Sequence, residues 1–355
     1  MSYFKLSPAY TYKLRSMPRG SSEAIKNKCN IPYKHLTIDL NSNCLVCTCD
    51  GWLPIPVGKV SDFASLDDVW NSPIAKLLQK DVDDKKFTWC ATEHCGIKRQ
   101  SIIATTYKLS LNIDESCNLY CPSCRRGQIM VTDSNELESK QQDVIRILSW
   151  LEQFPHPIHI VMSGNGDPLA SNIIRPLFLS YNPRPTQTFK LFTNGLLIKK
   201  QLLNSQILPN ITEYSISVDA GSAEVYENVR RGGRWNILLE NFDFLSELKK
   251  NHLVTLNFSI QKSNYKDLSN FLDVCKQYSF AANIHQLDDW GTWNSDRVAN
   301  PDAWTIQNGT YLDHDVLQKT HPEYSDCAAI VNSAIETNKS NRKIMFAPRL
   351  TNLVQ

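Results

Sequence analysis

The stretch YKLSLNIDESCNLYCPSC, residues 107–124, decides how the rest of the chain is interpreted. YKLSLNI has the character of a strand, and the loop after it places Cys117, Cys121 and Cys124 at the spacing Cys-x3-Cys-x2-Cys. Thiolates are the soft ligands that iron-sulfur centres need. Three thiolates this close together can hold a [4Fe-4S] cluster and leave one iron open. A structural zinc site is the alternative, although such a site normally closes with four ligands.

Strand and helix patterns alternate between residues 107 and 287. The later strand-like segments are PIHIVMSG, TFKLFTNG, EYSISVDA, LVTLNFSI and AANIHQL, and helical segments such as ELESKQQDVIRILSWLEQF separate them. Six such alternations predict an α/β fold, a partial (β/α)6 TIM-like barrel with right-handed crossovers. The cysteine loop follows the first strand, at the face where such barrels place their active sites.

The segments on either side of the barrel predict three further parts. Residues 29–100 hold six cysteines and predict a small N-terminal Cys-rich auxiliary-cluster domain, whereas the polar residues 1–28 predict a flexible arm. Residues 288–355 predict a capping segment. Several side chains in or near that segment fit capping best, with contact to a polar substrate as the alternative: His285, Asp288, Asp289, Trp290, Trp293, His314 and His321.

Composition narrows the class of protein. Lysine plus arginine is 38 and aspartate plus glutamate is 36, so the net charge of +2 gives no argument for a nucleic-acid or membrane partner. The sequence contains neither an apparent signal peptide nor an apolar run of about 18 residues, so we expect a cytoplasmic protein. In a reducing compartment, the eleven cysteines predict metal ligands rather than disulfides.

The cysteine loop and the strand ends after it resemble the radical S-adenosylmethionine (SAM) superfamily. The motifs SGNGDP, FTNG, SVDA and YENVRRGGRW follow strands two to four in that family's order, although Asn165 separates the glycines and Asp167 stands where the family has glutamate. The resemblance implies an enzyme, a radical SAM oxidoreductase or maturase. The open iron would bind SAM, and reductive cleavage would yield a 5′-deoxyadenosyl radical that takes a hydrogen atom from a substrate.

The resemblance also implies roles for particular residues. The catalytic cluster would be ligated by Cys117, Cys121 and Cys124. The residues implied for the SAM pocket are Ser163, Gly164, Gly166, Asp167, Asn194, Ser217 and Arg230. Arg230 would contact the SAM carboxylate or the substrate, and the alternative is a solvated arginine at a helix end.

The cysteine-rich segment resembles the SPASM/twitch auxiliary-cluster domain, although here it precedes the barrel and its closing pair is Cys-x4-Cys. The helix-like SLDDVWNSPIAKLLQK separates IDLNSNCLVCTCDGWLP from WCATEHC, and Ser42 stands where the family's turn has glycine. The resemblance implies an auxiliary [4Fe-4S] cluster, with zinc as the alternative. The implied ligands are Cys29, Cys90, Cys95 and either Cys47 or Cys49. Cys44 would be an ordinary buried thiol, and His94 would be a competing ligand.

The substrate and the partners stay open at this point. No peptide-docking domain of winged-helix type is evident, which favours a sugar-like or small-molecule substrate over a peptide. A peptide-modifying maturase of the same superfamily is the alternative. The resemblance implies an external electron donor such as flavodoxin or ferredoxin. A non-enzymatic zinc or iron-sulfur protein, used for binding or sensing, is the alternative from another class.

Overall fold

The computed structural model describes residues 19–21, 23–47, 55–92, 95–162, 165–248, 252–289, 307–351 and 353. The chain divides into two compact units. The first comprises residues 1–116, 130–191 and 204–211, and the second comprises residues 117–129, 192–203 and 212–355. The cysteine-rich segment therefore belongs to the first unit, and the cysteine loop belongs to the second.

The first unit is built on a sheet with the order β6-β5-β4-β1-β2-β3. Its strands are β1 (His35–Ile38), β2 (Asn43–Leu45), β3 (Gly58–Lys59), β4 (Tyr107–Leu111), β5 (Ile158–Met162) and the first five residues of β6 (Gln187–Thr193). Its helices are α1 (Ile31–Lys34), α2 (Leu66–Asn71), α3 (Pro73–Asp83), α4 (Ser134–Gln153) and α5 (Arg175–Ser180). Strands β4, β5 and β6 are parallel, and β1 pairs in parallel with β4. The cysteine-rich segment thus extends the sheet of β4 instead of forming a sheet of its own.

The second unit contains four parallel strands in the order β7-β8-β9-β10. These strands are β7 (Ile211–Ser217), β8 (Leu253–Ile260), β9 (Ala281–Gln286) and β10 (Ile344–Phe346). The helices are α6 (Ile198–Leu202), α7 (Ala223–Val229), α8 (Trp235–Glu247), α9 (Leu268–Gln277), α10 (Tyr311–His314), α11 (Tyr324–Asn338) and α12 (Pro348–Thr351). Parallel strands that alternate with helices confirm the predicted α/β class and fit a partial (β/α) barrel.

Local sequence explains where these elements begin and end. The Ser65 hydroxyl caps α2 by accepting from the Asp68 N–H at 3.1 Å, and Ser72 caps α3, in which Pro73 holds the first position. The proline therefore divides the predicted helix into two. In β8, Val254 and the alternate residues up to Ile260 are buried, whereas the residues between them are less buried. This period of two separates a helix-covered face from a polar face.

Part of the predicted flexible arm is anchored to the cysteine-rich segment. The Gly20 N–H donates to the Cys90 carbonyl at 3.0 Å, the Lys28 N–H donates to the Ser101 hydroxyl at 3.0 Å, and Ile25 is buried. Backbone groups that are paired in this way hold residues 19–28 in place, apart from Ser22, which lies with residues 1–18 outside the described residues.

The predicted capping segment contributes to the core of the second unit. Strand β10 adds to the sheet beside β9, and α11 buries Cys327 and Val331. Residues 290–306, which include Trp290 and Trp293, lie outside the described residues. Among the helices that the structure describes, none has the length and apolar character needed to cross a bilayer.

Candidate functional site

The three cysteines of the opening motif lie in one short loop of the second unit. The Cys117 N–H donates to the Ile129 carbonyl at 2.8 Å, and the Cys124 N–H donates to the Cys121 carbonyl at 3.0 Å. Cys121 is buried, whereas Cys117 and Cys124 are half-buried. The loop therefore presents three thiols on a backbone held by its own hydrogen bonds.

Each of the three sulfurs faces at least one N–H donor. Cys117 Sγ accepts from the Leu119 backbone N–H at 3.5 Å and from Asn194 Nδ2 at 3.9 Å. Cys124 Sγ accepts from Arg125 Nη2 at 3.7 Å, and Cys121 Sγ accepts from Arg230 Nη1 at 3.9 Å. Donors aimed at sulfur stabilise its anionic form, so the surroundings suit thiolate ligands.

The electrostatics of the loop also suit an anionic centre. Burial raises the pKa of the Cys121 thiol, and the Arg230 guanidinium acts against that rise. Arg125 is buried, which opposes its charge, but the negative charges of Cys124, Cys117 and Cys121 raise its pKa above the ordinary value. One guanidinium thus interacts with all three sulfurs, which fits a thiolate-ligated iron-sulfur cluster.

A single bound metal ion would require several ligand side chains that converge on one point. In the part of the chain that the structure describes, no three His, Cys, Asp or Glu side chains are grouped as ligands of one ion. The cysteine ligands of a cluster each bind a different iron, so they do not need to converge on one point. The lack of a single-ion ligand group among the described residues therefore does not argue against a cluster at the three thiols.

Arg230 reaches the cysteine loop from the turn after α7. Its Nη2 lies 2.5 Å from Asp219 Oδ2, and the Arg230 side chain is 15% exposed. In the same turn, the Arg231 carbonyl accepts the Tyr120 N–H at 3.1 Å, and Gly232 has a φ of +89° beside the Tyr120 ring. The turn thus holds the cysteine loop through both backbone and side-chain contacts.

The glycine turn after β5 packs against the residues that precede Cys117. A Cβ at Gly166 would lie 2.2 Å from the Ser116 carbonyl oxygen, and the Asp167 N–H donates to that oxygen at 2.8 Å. The buried Asp167 carboxylate accepts from the Leu169 N–H at 2.9 Å and so caps the 3-10 turn Pro168–Ala170. Ser163 and Gly164 lie outside the described residues, so the predicted SAM contacts of this turn stay predictions.

Two further residues predicted for the SAM pocket lie at strand ends. Asn194 follows β6, is buried, and donates to Asn118 Oδ1 at 2.8 Å as well as to Cys117. Ser217 is half-buried at the end of β7, two residues before Asp219. The structure therefore brings Asn194 and Arg230 to the cysteine loop. The role of Ser217 stays a prediction.

The auxiliary cysteines Cys29, Cys47, Cys90 and Cys95 all belong to the first unit. Burial raises the pKa of the Cys29 thiol, and the negative charge of Cys95 adds to that rise. Cys47 and Cys90 are buried. Cys49 and His94 lie outside the described residues, so the choice between Cys47 and Cys49 stays open.

Ser42 and Cys44 lie where the resemblance implied. Ser42 has a φ of +58°, a conformation that favours glycine, and its hydroxyl donates to Asp143 Oδ2 at 2.5 Å. Cys44 is fully buried on β2, where burial and the carboxylates of Asp39 and Asp62 raise the pKa of its thiol. Its neighbours are acidic, which makes it a poor candidate for a thiolate ligand. No disulfide joins any of the ten described cysteines.

Sequence reasoning missed two features of the site. The first is Arg125, which follows Cys124 directly in the sequence. A basic residue next to three cysteines was the sequence signal that could have identified it. The pairing of Arg230 with Asp219 had no local signal, because the two residues lie on separate turns. The histidines of the tail are engaged elsewhere: His314 Nε2 contacts the Asn308 carbonyl at 2.6 Å, and His321 Nδ1 accepts from the Glu323 N–H at 3.0 Å.

Two family models match the chain. One, described as the radical SAM superfamily, matches residues 111–282, and the other, described as an iron-sulfur cluster-binding domain (SPASM), matches residues 29–96. A GTP 3',8-cyclase of Limosilactobacillus fermentum is 20% identical over 209 residues, which are 58% of this chain and 62% of that protein. An AdoMet-dependent heme synthase of Methanosarcina barkeri is 21% identical over 175 residues, 49% of this chain and 48% of that protein. The chain thus spans less than two thirds of the length of either relative.

Solved structures with a similar chain path were also found. Streptococcus suis SuiB bound to S-adenosylmethionine is 14% identical, with a TM-score of 0.41, and the similarity covers 68% of this chain and 49% of that chain. A histidine-tagged anSMEcpe with bound AdoMet is 14% identical, with a TM-score of 0.43, and the similarity covers 67% of this chain and 60% of that chain.

Proposed function

This chain is a radical SAM superfamily enzyme with an N-terminal iron-sulfur cluster-binding SPASM domain, and from that premise we propose its reaction. The enzyme cleaves SAM reductively at a [4Fe-4S] cluster ligated by Cys117, Cys121 and Cys124. The 5′-deoxyadenosyl radical formed in this way removes a hydrogen atom from a substrate. The observation that carries the proposal is the loop of three thiols, each faced by an N–H donor.

A [4Fe-4S] cluster held by Cys117, Cys121 and Cys124 would supply the electron for reductive cleavage of SAM. The protein's own groups prepare the site for that chemistry. The Leu119 N–H and the Asn194 amide orient and stabilise the Cys117 thiolate. Arg125 and Arg230 offset negative charge where burial makes it costly.

We propose that the residues that the family resemblance implies at the strand ends contact SAM, among them Gly166 in the turn after β5. Gly166 supports this placement, because its missing side chain lets the turn after β5 approach the backbone that leads into Cys117. Ser163, Gly164 and Asp167 of the same turn, with Asn194 and Ser217, complete the proposed set.

The SPASM domain holds an auxiliary [4Fe-4S] cluster. We assign its ligands as Cys29, Cys90, Cys95 and either Cys47 or Cys49. The interaction between Cys29 and Cys95 supports this assignment, since their positions in the sequence are far apart. An external one-electron donor of the flavodoxin or ferredoxin type would supply electrons.

The proposed substrate is a polar small molecule, such as a sugar. The polar face of β7–β9 supports this choice. Asn257 donates to Ser215 Oγ at 2.9 Å and accepts from Asn283 at 3.1 Å, and Ser259 contacts His285 Nε2 at 3.3 Å. Hydroxyls and amides of this kind recognise neutral hydrogen-bonding groups. The names of the two curated relatives also refer to small molecules. A peptide substrate is the alternative.

Anaerobic reconstitution tests the reaction. The wild-type protein should bind iron and sulfide and, with dithionite, convert SAM to 5′-deoxyadenosine. The triple change of Cys117, Cys121 and Cys124 to alanine should abolish that product and remove about four irons. The matched control is Cys275→Ala, which removes a buried thiol of α9 and should leave the iron content unchanged.

Two results would defeat the proposal. One is a wild-type protein that binds zinc alone and makes no 5′-deoxyadenosine, as expected of a non-enzymatic binding protein. The other is full iron retention in the triple variant. The substrate class is tested separately with deuterated sugars and deuterated peptides. Transfer of deuterium from a peptide, but not from any sugar, into 5′-deoxyadenosine would replace the small-molecule proposal with the peptide alternative.

A further inference from the structure

The Arg230 side chain engages two groups at once. Its Nη1 donates to Cys121 Sγ at 3.9 Å, and its Nη2 lies 2.5 Å from Asp219 Oδ2. The exposed fractions of the two paired side chains are 15% for Arg230 and 3% for Asp219. Because a guanidinium is a rigid planar fork, these two contacts fix the position of the cation beside the sulfur.

Asp219 is itself held in place. Its Oδ1 accepts from the Ser259 N–H at 2.7 Å, and its backbone carbonyl accepts from Asn264 Nδ2 at 3.0 Å. The residue has a φ of +58°, a left-handed conformation that its neighbours must maintain. A continuous set of contacts thus runs from the Ser259 backbone through Asp219 and Arg230 to Cys121.

The location makes these charges effective. Cys121 is 5% exposed, so solvent screens the field of Arg230 only weakly. Adding one electron to a cluster adds one negative charge, which a nearby cation and N–H donors to sulfur stabilise. The Asp219 carboxylate offsets part of the Arg230 charge, so the two residues act in opposite directions.

We propose that the Asp219–Arg230 pair sets the reduction potential of the cluster that Cys121 ligates, with Arg230 raising the potential and Asp219 limiting that rise. This inference rests on the proposed function, because it requires a [4Fe-4S] cluster at the cysteine loop. The electron comes from a low-potential one-electron donor, dithionite in the test, and takes the cluster from the 2+ to the 1+ state while no bond to Arg230 forms or breaks. Arg230 is thereby a positioning residue, which differs from the contact to the SAM carboxylate or the substrate that the family resemblance implied.

The test is an EPR-monitored redox titration of the full-length reconstituted protein without SAM. The signal of the catalytic cluster is identified as the one absent from the triple cysteine variant. In Arg230→Gln, the equilibrium constant for reduction should fall at least tenfold, which for one electron is a potential lower by about 59 mV. Asp219→Asn should raise the potential. Asparagine tolerates the left-handed conformation and can still accept from the Ser259 N–H.

The matched control is Arg234→Gln. Arg234 lies on the same turn, but its side chain is 72% exposed and pairs with Glu227, so the potential should stay at the wild-type value. Shifts of opposite sign at Arg230 and Asp219 support the proposal, because a purely structural role would move both the same way. Shifts of the same sign, or none, overturn it.

Two remaining outcomes are also informative. If Arg230→Gln does not retain the cluster, the sign of the Asp219→Asn shift decides, and an unchanged or lower potential overturns the proposal. If the wild-type protein holds no four-iron cluster at Cys117, Cys121 and Cys124, it is the proposed function that fails, and the iron content shows this before any titration.

Discussion

Replacing Gly166 by alanine tests how tightly the turn after β5 packs on the approach to the cysteine loop. The new Cβ would lie 2.2 Å from the Ser116 carbonyl oxygen, 2.5 Å from the Glu115 carbonyl carbon and 2.7 Å from the Glu115 carbonyl oxygen. These are backbone atoms, which cannot rotate away as a flexible side chain can. The same contact contains the hydrogen bond from the Asp167 N–H to Ser116, so the substitution must displace that bond as well.

The expected destabilisation follows from these contacts. Overpacking a tight site costs about 1–3 kcal/mol, and weakening one backbone hydrogen bond adds about 1 kcal/mol. A total of about 3 kcal/mol would lower the Tm by roughly 6–12 °C for a unit of this size. Because Ser116 directly precedes Cys117, iron content and the yield of 5′-deoxyadenosine should fall too.

Anaerobic thermal unfolding and iron analysis of Gly166→Ala measure both effects. The matched control is Gly127→Ala, since a Cβ at Gly127 has nothing within 4 Å and the residue lies in the cysteine loop. The control should be neutral or slightly more stable, because alanine restricts the unfolded chain. A Gly166→Ala protein that melts within about 2 °C of the control and keeps its iron would refute the packing argument.

Three further predictions concern Ser42, the cysteines Cys44 and Cys47, and His35. Ser42→Gly relieves the positive φ but loses the hydrogen bond to Asp143, so it should lower the free energy of unfolding by about 1 kcal/mol. Ser42→Ala loses the same hydrogen bond and keeps the backbone strain, so its loss should be larger. Equal losses in denaturant titrations of the two variants would contradict this expectation. Cys44→Ala should keep all auxiliary iron. Cys47→Ala should lose auxiliary iron if Cys47, and not Cys49, is the ligand. The iron content of the two purified variants tests both expectations. Burial lowers the pKa of His35 from the ordinary 6.5 to about 4, so the folded state favours the neutral imidazole. The stability that is present above pH 6.5 is therefore lost as the pH falls from 6.5 to 4, by up to about 1.4 kcal/mol per pH unit. The Tm of His35→Gln should fall less steeply between pH 6.5 and 4, and parallel curves would show that His35 does not contribute.

Local sequence determined the fold class and the cysteine motif. The strand and helix patterns after residue 107 predicted the alternation of β4–β9 with helices, because periods of two and of 3.6 residues are set by neighbouring side chains. Ser65 and Pro73 also marked helix boundaries, because a capping hydroxyl and a proline ring act only on adjacent residues. Ser42 stands where the resembled family has glycine, and its φ of +58° matches that position.

Only the tertiary structure decided what surrounds the three cysteines. Arg230 lies 109 positions from Cys121 in the sequence, and Asn194 lies 77 positions from Cys117, so no periodic pattern can relate them. The pairing of β1 with β4 likewise joins the cysteine-rich segment to the barrel sheet across a long stretch of chain. Spacing along the chain specifies that Cys117, Cys121 and Cys124 can ligate one cluster, because these three residues are sequence neighbours. The groups that set its charge environment come from distant strands and turns, and only folding brings them together.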